Sequence, residues 1–136
     1  MELNEITGTI ISAAIKIHTQ IGPGLLESVY HTCLDHELRK RALQCQMEVP
    51  IPVVYDGLSI ESKYKVDLVV ENLIIVELKC VDVLAPIHRA QLLTYLRLAN
   101  KPLGLLLNFN VVHMKDGVKK VLNNKYRAAF AAGQPT

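Results

Sequence analysis

The chain has only three cysteines, and they are scattered. Cys33, Cys45 and Cys80 are odd in number and too widely spaced for a zinc pattern or a disulfide framework. That excludes the small disulfide-stapled scaffolds and points to a reducing cytoplasm. No apolar run is long enough to span a bilayer, so no membrane association is expected. The opening stretch, MELNEITGTIISAAI, carries acids where a secretory leader would carry a basic region. An excess of either charge is missing too: a net +2 is too slight to argue by itself for a nucleic-acid partner. Internal repeats and low-complexity segments are also missing. Apolar material, by contrast, is plentiful. Half of the 136 residues are hydrophobic, enough for one real core and too few for a second domain. A single domain is expected over residues 1–122, followed by a tail over 123–136 whose end, AAGQPT, should fray.

Periodicity organises the rest. Leu3, Ile6, Ile10, Ala14, Ile17 and His18 recur at helical spacing and stop at Gly22-Pro23-Gly24. His18 at that end reads as a hydrogen-bonded packing residue. A second helix is expected from near Gly24 to about Arg41, with Leu26, Tyr30, Cys33, Leu34 and Leu38 as its buried stripe. Glu27 falls in its first turn, where an acid complements the helix dipole. Residues 45–54 look extended, with Pro50 and Pro52 at alternate positions, and so predict an edge strand. Asp56-Gly57 then turns the chain into a strand expected over 58–70. Pro86 suits the first turn of a helix that ends before Asn100-Lys101-Pro102. Gln91, Tyr95 and Leu98 share a stripe on it, and Gln91 there is odd for a packing surface. The unbroken apolar run Leu103 to Phe109 predicts a central strand buried on both faces, parallel to the strand before the helix. Lys115-Asp116-Gly117 signals a turn, with a short strand over 118–122.

The stretch that carries chemistry is Tyr64 to Cys80, YKVDLVVENLIIVELKC. Two apolar runs flank Glu71-Asn72-Leu73, which predicts a β-hairpin. Asp67, Glu77 and Lys79 interrupt it where a core strand should carry no charge. A two-residue turn would oppose Asp67 to Val76 and mix charged with apolar side chains on both faces. A three-residue loop opposes Asp67 to Glu77 and leaves Tyr64, Val66, Leu68, Val70, Ile74, Val76, Leu78 and Cys80 as an uncharged face. A buried face selects the second register strongly. Two opposed carboxylates repel unless a cation lies between them, and Mg²⁺ takes oxygen ligands of this kind. Lys79 could help deprotonate water or steady charge on a phosphate. A plain ion pair at the solvated end of a strand explains the same spacing equally well. The similar Glu61-Ser62-Lys63 lacks a preceding apolar run and is discounted.

Gly24, Glu27 and Tyr30, in IGPGLLESVY, followed in order by KVDLVV, IIVELKC, QLLTY and GLLLNF, resemble the GxxExxY proteins of the PD-(D/E)XK nuclease superfamily. The likeness covers roughly residues 10–110. It implies an α/β fold with a PD-(D/E)XK nuclease-like core: a mixed sheet of four to five strands, three antiparallel plus one parallel, flanked by helices in the order ααβββαβ. It also implies a divalent metal, Mg²⁺ with Mn²⁺ as substitute, held by Asp67, Glu77, the Leu78 carbonyl and Glu27. Lys79 would be the motif lysine, and Gln91 and Tyr95 match a QxxxY helix motif of the branch that includes lambda exonuclease. The proline that names the superfamily is replaced by Val66, a position that carries no ligand.

The expected activity is therefore divalent-metal-dependent hydrolysis of phosphodiester bonds in nucleic acid, DNA above RNA, by metal-activated water, leaving a 5′-phosphate. Lys65 and Arg89, with Lys63 and Lys101, are the cations available for phosphate contacts, and each is equally well explained as part of a solvated face. The rival reading is a catalytically silent nucleic-acid-binding or interaction module with the same fold. The small size leaves room for a homodimer or a partner subunit that chooses the target. The full set of acids and lysine argues for turnover, since opposed carboxylates give a structural protein nothing.

Overall fold

A computed structural model describes residues 1–126; the tail end expected to fray lies outside the described residues. The first amphipathic segment forms α1, Leu3–Ile21, whose stripe of Leu3, Ile6, Ile10, Ala14 and Ile17 is buried. No side chain caps its start. The helix is held instead by burial, at about 1.5–3 kcal/mol for each large apolar side chain. It ends where Gly22 takes a φ of 74° and its amide donates to the His18 carbonyl. His18 is the packing residue expected: its Nε2 lies 2.8 Å from the Val111 carbonyl.

The second helix, α2, spans Glu27–Lys40, starting three residues later than the spacing implied. Leu26 is its extended N-cap and is 75% exposed, so it does not belong to the buried stripe. Lys16 and Arg41 both bind the Glu37 carboxylate, at 3.0 Å each, which ties α2 to α1 through the Lys16 arm.

The extended stretches break where proline removes donors. The edge strand β1 is Cys45–Pro50. The chain leaves the sheet there, and β2 (Val53–Tyr55) and β3 (Leu58–Ile60) form a separate antiparallel hairpin. The single strand expected over 58–70 is therefore two strands. Residues 61–64 have no regular structure and β4 is Lys65–Val70. Then follow β5 (Ile74–Lys79), α3 (Pro86–Ala99), β6 (Leu103–Asn108), a short 3-10 helix at Met114–Gly117 and β7 (Val118–Leu122). The main sheet has the order β1-β4-β5-β6-β7, with β5 and β6 parallel and every other pair antiparallel. This is the mixed α/β sheet expected, with β7 as its fifth strand.

Two apolar layers sandwich the sheet. Residues from α1 and α2, with Leu68, Val70, Val76, Leu78, Leu105 and Leu107, form one. Leu92 and Leu96 of α3, with Val69, Ile75, Leu106 and Val121, form the other. Gly104 lets α3 approach closely, since a Cβ there would meet the Leu92 side chain at 2.9 Å. Among the described residues no helix is long and apolar enough to cross a membrane.

Candidate active site

The hairpin register decides which charges meet. Leu68 pairs with Val76 and Val70 with Ile74, so Asp67 faces Glu77 across the two strands, as the buried pattern required. Glu71 and Asn72, both left-handed at φ 53° and 55°, make the turn, and the Leu73 amide closes it onto the Val70 carbonyl at 3.0 Å. Two consecutive left-handed residues are the geometry that matches strand twist. Lys101 pins this turn through the Asn72 carbonyl and Oδ1, at 2.9 and 2.8 Å. That commits its ammonium to the fold rather than to a phosphate.

Regular pairing of β4 with β5 stops at Leu68–Val76, and the two acids take over. The Asp67 amide donates to Glu77 Oε1 at 2.9 Å, and the Leu78 amide donates to Asp67 Oδ2 at 2.8 Å. Each carboxylate thus fills a backbone bonding position on the opposite strand. The second oxygen of each carries no hydrogen bond among the described residues. No fully buried side-chain oxygen lacks a partner there, so both of these reach solvent.

Strict alternation fails at this point. Leu68, Val70, Ile74, Val76 and Leu78 pack on the α1–α2 side as expected, but Val66 packs with Ile51 and Val69 on the α3 side, and Tyr64 is 62% exposed. The uncharged face is therefore shorter than the pattern implied. The cause is local: the β4–β5 ladder has ended, and across β1 the residue between the Met47–Leu68 and Val49–Val66 pairs, Glu48, is left-handed at φ 53°. Asp67 is also reached from α2. His31 Nε2 lies 2.8 Å from its carbonyl, and ligand atoms of His31, Glu48 and Asp67 lie within 4.8 Å of one another.

Electrostatics bind the remaining residues to this point. Burial pushes the Glu77 carboxyl up to about 8, Asp67 adds to that, and the Asp67 amide and Lys79 pull against it. Burial also raises Asp67, against the Leu78 amide, His31 and Lys79. Glu27 is raised by burial and by Asp67, with Lys79 and His31 opposing. The Tyr95 hydroxyl is raised by burial and by Glu77, Tyr64 and Asp67. Glu27, Asp67, Glu77, Lys79 and Tyr95 therefore share one field at the end of the sheet. Gln91 lies one turn before Tyr95 on α3 and is exposed. Lys65 is exposed on β4, and Arg89 lines a groove of about 590 Å³ between α3 and β7 that includes none of the acids. No hydrogen bond or ion pair joins these three to the acids among the described residues.

Tyr30 ties down the loop that precedes Glu27. Its hydroxyl donates to the Gly22 carbonyl at 2.6 Å and accepts from the Leu25 amide at 3.2 Å, and its ring stacks on Phe109 with centroids 4.5 Å apart. The loop leading into α2 is thereby fixed from inside the helix. Asn108 does the same beyond Lys79, bonding the Val81 amide and carbonyl at 3.1 and 2.9 Å. The sequence reading missed His31, Glu48 and Asn108. His31 follows Glu27 by four residues on one helix face, which is a usable signal, whereas Glu48 depends on a β1–β4 register that the sequence does not fix.

The donor set fits a divalent cation. Asp67 and Glu77 offer hard oxygens, desolvated and repelling each other, with one free oxygen apiece. Among curated proteins and among solved structures, none matches this chain. A family model does: that of the PD-(D/E)XK nuclease superfamily, over residues 4–121. The chain belongs to the PD-(D/E)XK nuclease superfamily.

Proposed function

We propose that the protein is a divalent-metal-dependent nuclease that hydrolyses phosphodiester bonds of nucleic acid, with DNA as the preferred substrate, and that it belongs to the GxxExxY branch. The observation that carries this reading is the Asp67–Glu77 pair, two mutually repelling carboxylates held at the open end of a buried hairpin beside Lys79. Asp67, Glu77, the Leu78 carbonyl and Glu27 are the proposed ligands of Mg²⁺, with Mn²⁺ as substitute. When bound, such an ion supplies Lewis-acid charge at the scissile phosphate and lowers the pKa of water.

The chain's own residues supply the rest. Asp67 and Glu77 are held by backbone amides, so their free oxygens are preorganised. The Lys79 ammonium steadies negative charge that grows on the phosphate. Tyr95 and Gln91 on α3 are the proposed substrate-facing residues, and Lys65 and Arg89 the proposed phosphate contacts. Target choice is assigned to a second copy or a partner subunit. A panel of single-stranded, duplex, nicked and flapped DNA and the matching RNA, each with Mg²⁺ and with Mn²⁺, tests the reading. Metal-dependent cleavage of DNA supports it. Folded protein that cleaves nothing in the panel removes it.

A further inference from the structure

We propose that His31, Glu48 and Asp67 form a second cation site, one that takes a first-row transition ion such as Mn²⁺, Co²⁺ or Zn²⁺ through the His31 Nδ1 nitrogen. His31 Nε2 lies 2.8 Å from the Asp67 carbonyl, and a carbonyl oxygen can only accept. Nε2 therefore carries a proton, which leaves Nδ1 as the ring nitrogen available to a metal. That nitrogen sits 3.5 Å from Glu48 Oε1, and an Asp67 carboxylate oxygen lies within 4.8 Å of both. A proton on Nδ1 would serve Glu48 alone, whereas a metal cation bound there would meet the nitrogen and both carboxylates together. A backbone carbonyl bound to the far ring nitrogen is the usual support of a metal-ligating imidazole, fixing both tautomer and ring orientation. The side chain is only 11% exposed, so packing holds it in that pose.

Size is compatible. Three atoms that share an ion at about 2.0–2.2 Å lie roughly 3.0–3.8 Å from one another, so a contraction of about 1 Å closes the set. Glu48, exposed on the edge strand, is free to make it and leaves coordination positions open to water or phosphate. Imidazole with carboxylates suits Mn²⁺, Co²⁺ and Zn²⁺, whereas the all-oxygen Asp67–Glu77 set suits Mg²⁺. The two sites share Asp67, yet the nitrogen-bearing one stands without any cleavage activity.

The test is pulsed electron paramagnetic resonance on the full chain with added Mn²⁺, reading modulation from a directly bonded imidazole nitrogen. Wild type and Glu77→Gln should both show that nitrogen. His31→Gln should lose it, and Glu48→Gln should weaken Mn²⁺ at the nitrogen-bearing site roughly tenfold or more. Metal-free melting curves check that each variant folds. Should His31→Gln fail to fold, Glu48→Gln, at an exposed position, carries the comparison alone. Absence of the nitrogen in wild type, its persistence in His31→Gln, or unchanged affinity in Glu48→Gln overturns the proposal and leaves His31 and Glu48 as a simple ion pair. Cleavage is not read, so failure of the nuclease reading is scored separately.

Discussion

The Asp67 amide donates to Glu77 Oε1, so the carboxylate of one strand caps the backbone of the other where regular pairing ends. The acid is held in place at the cost of burying it. With its carboxyl raised to about 8 from an ordinary 4.5, Glu77 binds its proton more tightly in the folded chain than in the unfolded one. Stability of the metal-free protein should therefore fall as pH rises from about 4.5 through about 8, by an amount on the order of a few kcal/mol. Glu77→Gln should flatten that slope and raise the metal-free melting temperature at pH 8. Thermal denaturation across this range checks both.

Glu37 should act with the opposite sign. Hydrogen bonds from Lys16 and Arg41 hold its carboxyl below the ordinary value. Its contribution is present above the unfolded-state pKa and is lost as pH falls through the folded one. Glu37→Gln should lower the melting temperature at pH 7 and lower it less at pH 3. Melting curves at the two values decide.

Tyr30→Phe keeps the stack on Phe109 and removes the bonds to Gly22 and Leu25. The expected loss is about 1–2 kcal/mol. If the hydroxyl positions Glu27 through that loop, metal affinity should drop as well. Denaturant melts combined with Mn²⁺ titration separate the two effects; lower stability with unchanged affinity would leave Tyr30 a packing residue.

Much of this architecture was legible in the sequence. A buried face tolerates no register slip, and the apolar alternation of Leu68, Val70, Ile74, Val76 and Leu78 is enough to set Asp67 opposite Glu77. The helices were legible because their stripes are long, and their ends because glycine and proline stand there. Local conformation was not. Nothing in QMEVP announces that Glu48 would be left-handed, and that residue stands across β1 from the point where the alternation ends at Val66. Lys101 looked like a free cation because its partner, the Asn72 carbonyl, belongs to a turn 29 residues away. Exposed polar residues such as Gln91 gain their meaning from a ligand, and no apolar pattern encodes that.

A divalent ion that binds only the folded state stabilises it by roughly 2.7 kcal/mol at a hundredfold excess over its dissociation constant. For a chain of this size that is a melting-temperature rise of roughly 5 to 15 °C. Mn²⁺ should raise the melting temperature at least as much as Mg²⁺, and monovalent salt at equal ionic strength should not. Glu77→Ala should shrink the Mg²⁺ response to that of salt, while Lys79→Ala should retain it. Thermal scans with and without each ion give the answer.

The most direct measurement is single-turnover cleavage of end-labelled DNA in Mg²⁺ by wild type and by Lys79→Ala, with the metal-induced melting shift recorded on the same samples. The wild type should release 5′-phosphate ends. Lys79→Ala should keep the shift and cleave about 10²- to 10³-fold more slowly, the usual cost of removing one preorganised group that stabilises charge in the transition state. Equal cleavage by the two proteins, or none by a wild type that shows the melting shift, would contradict the account.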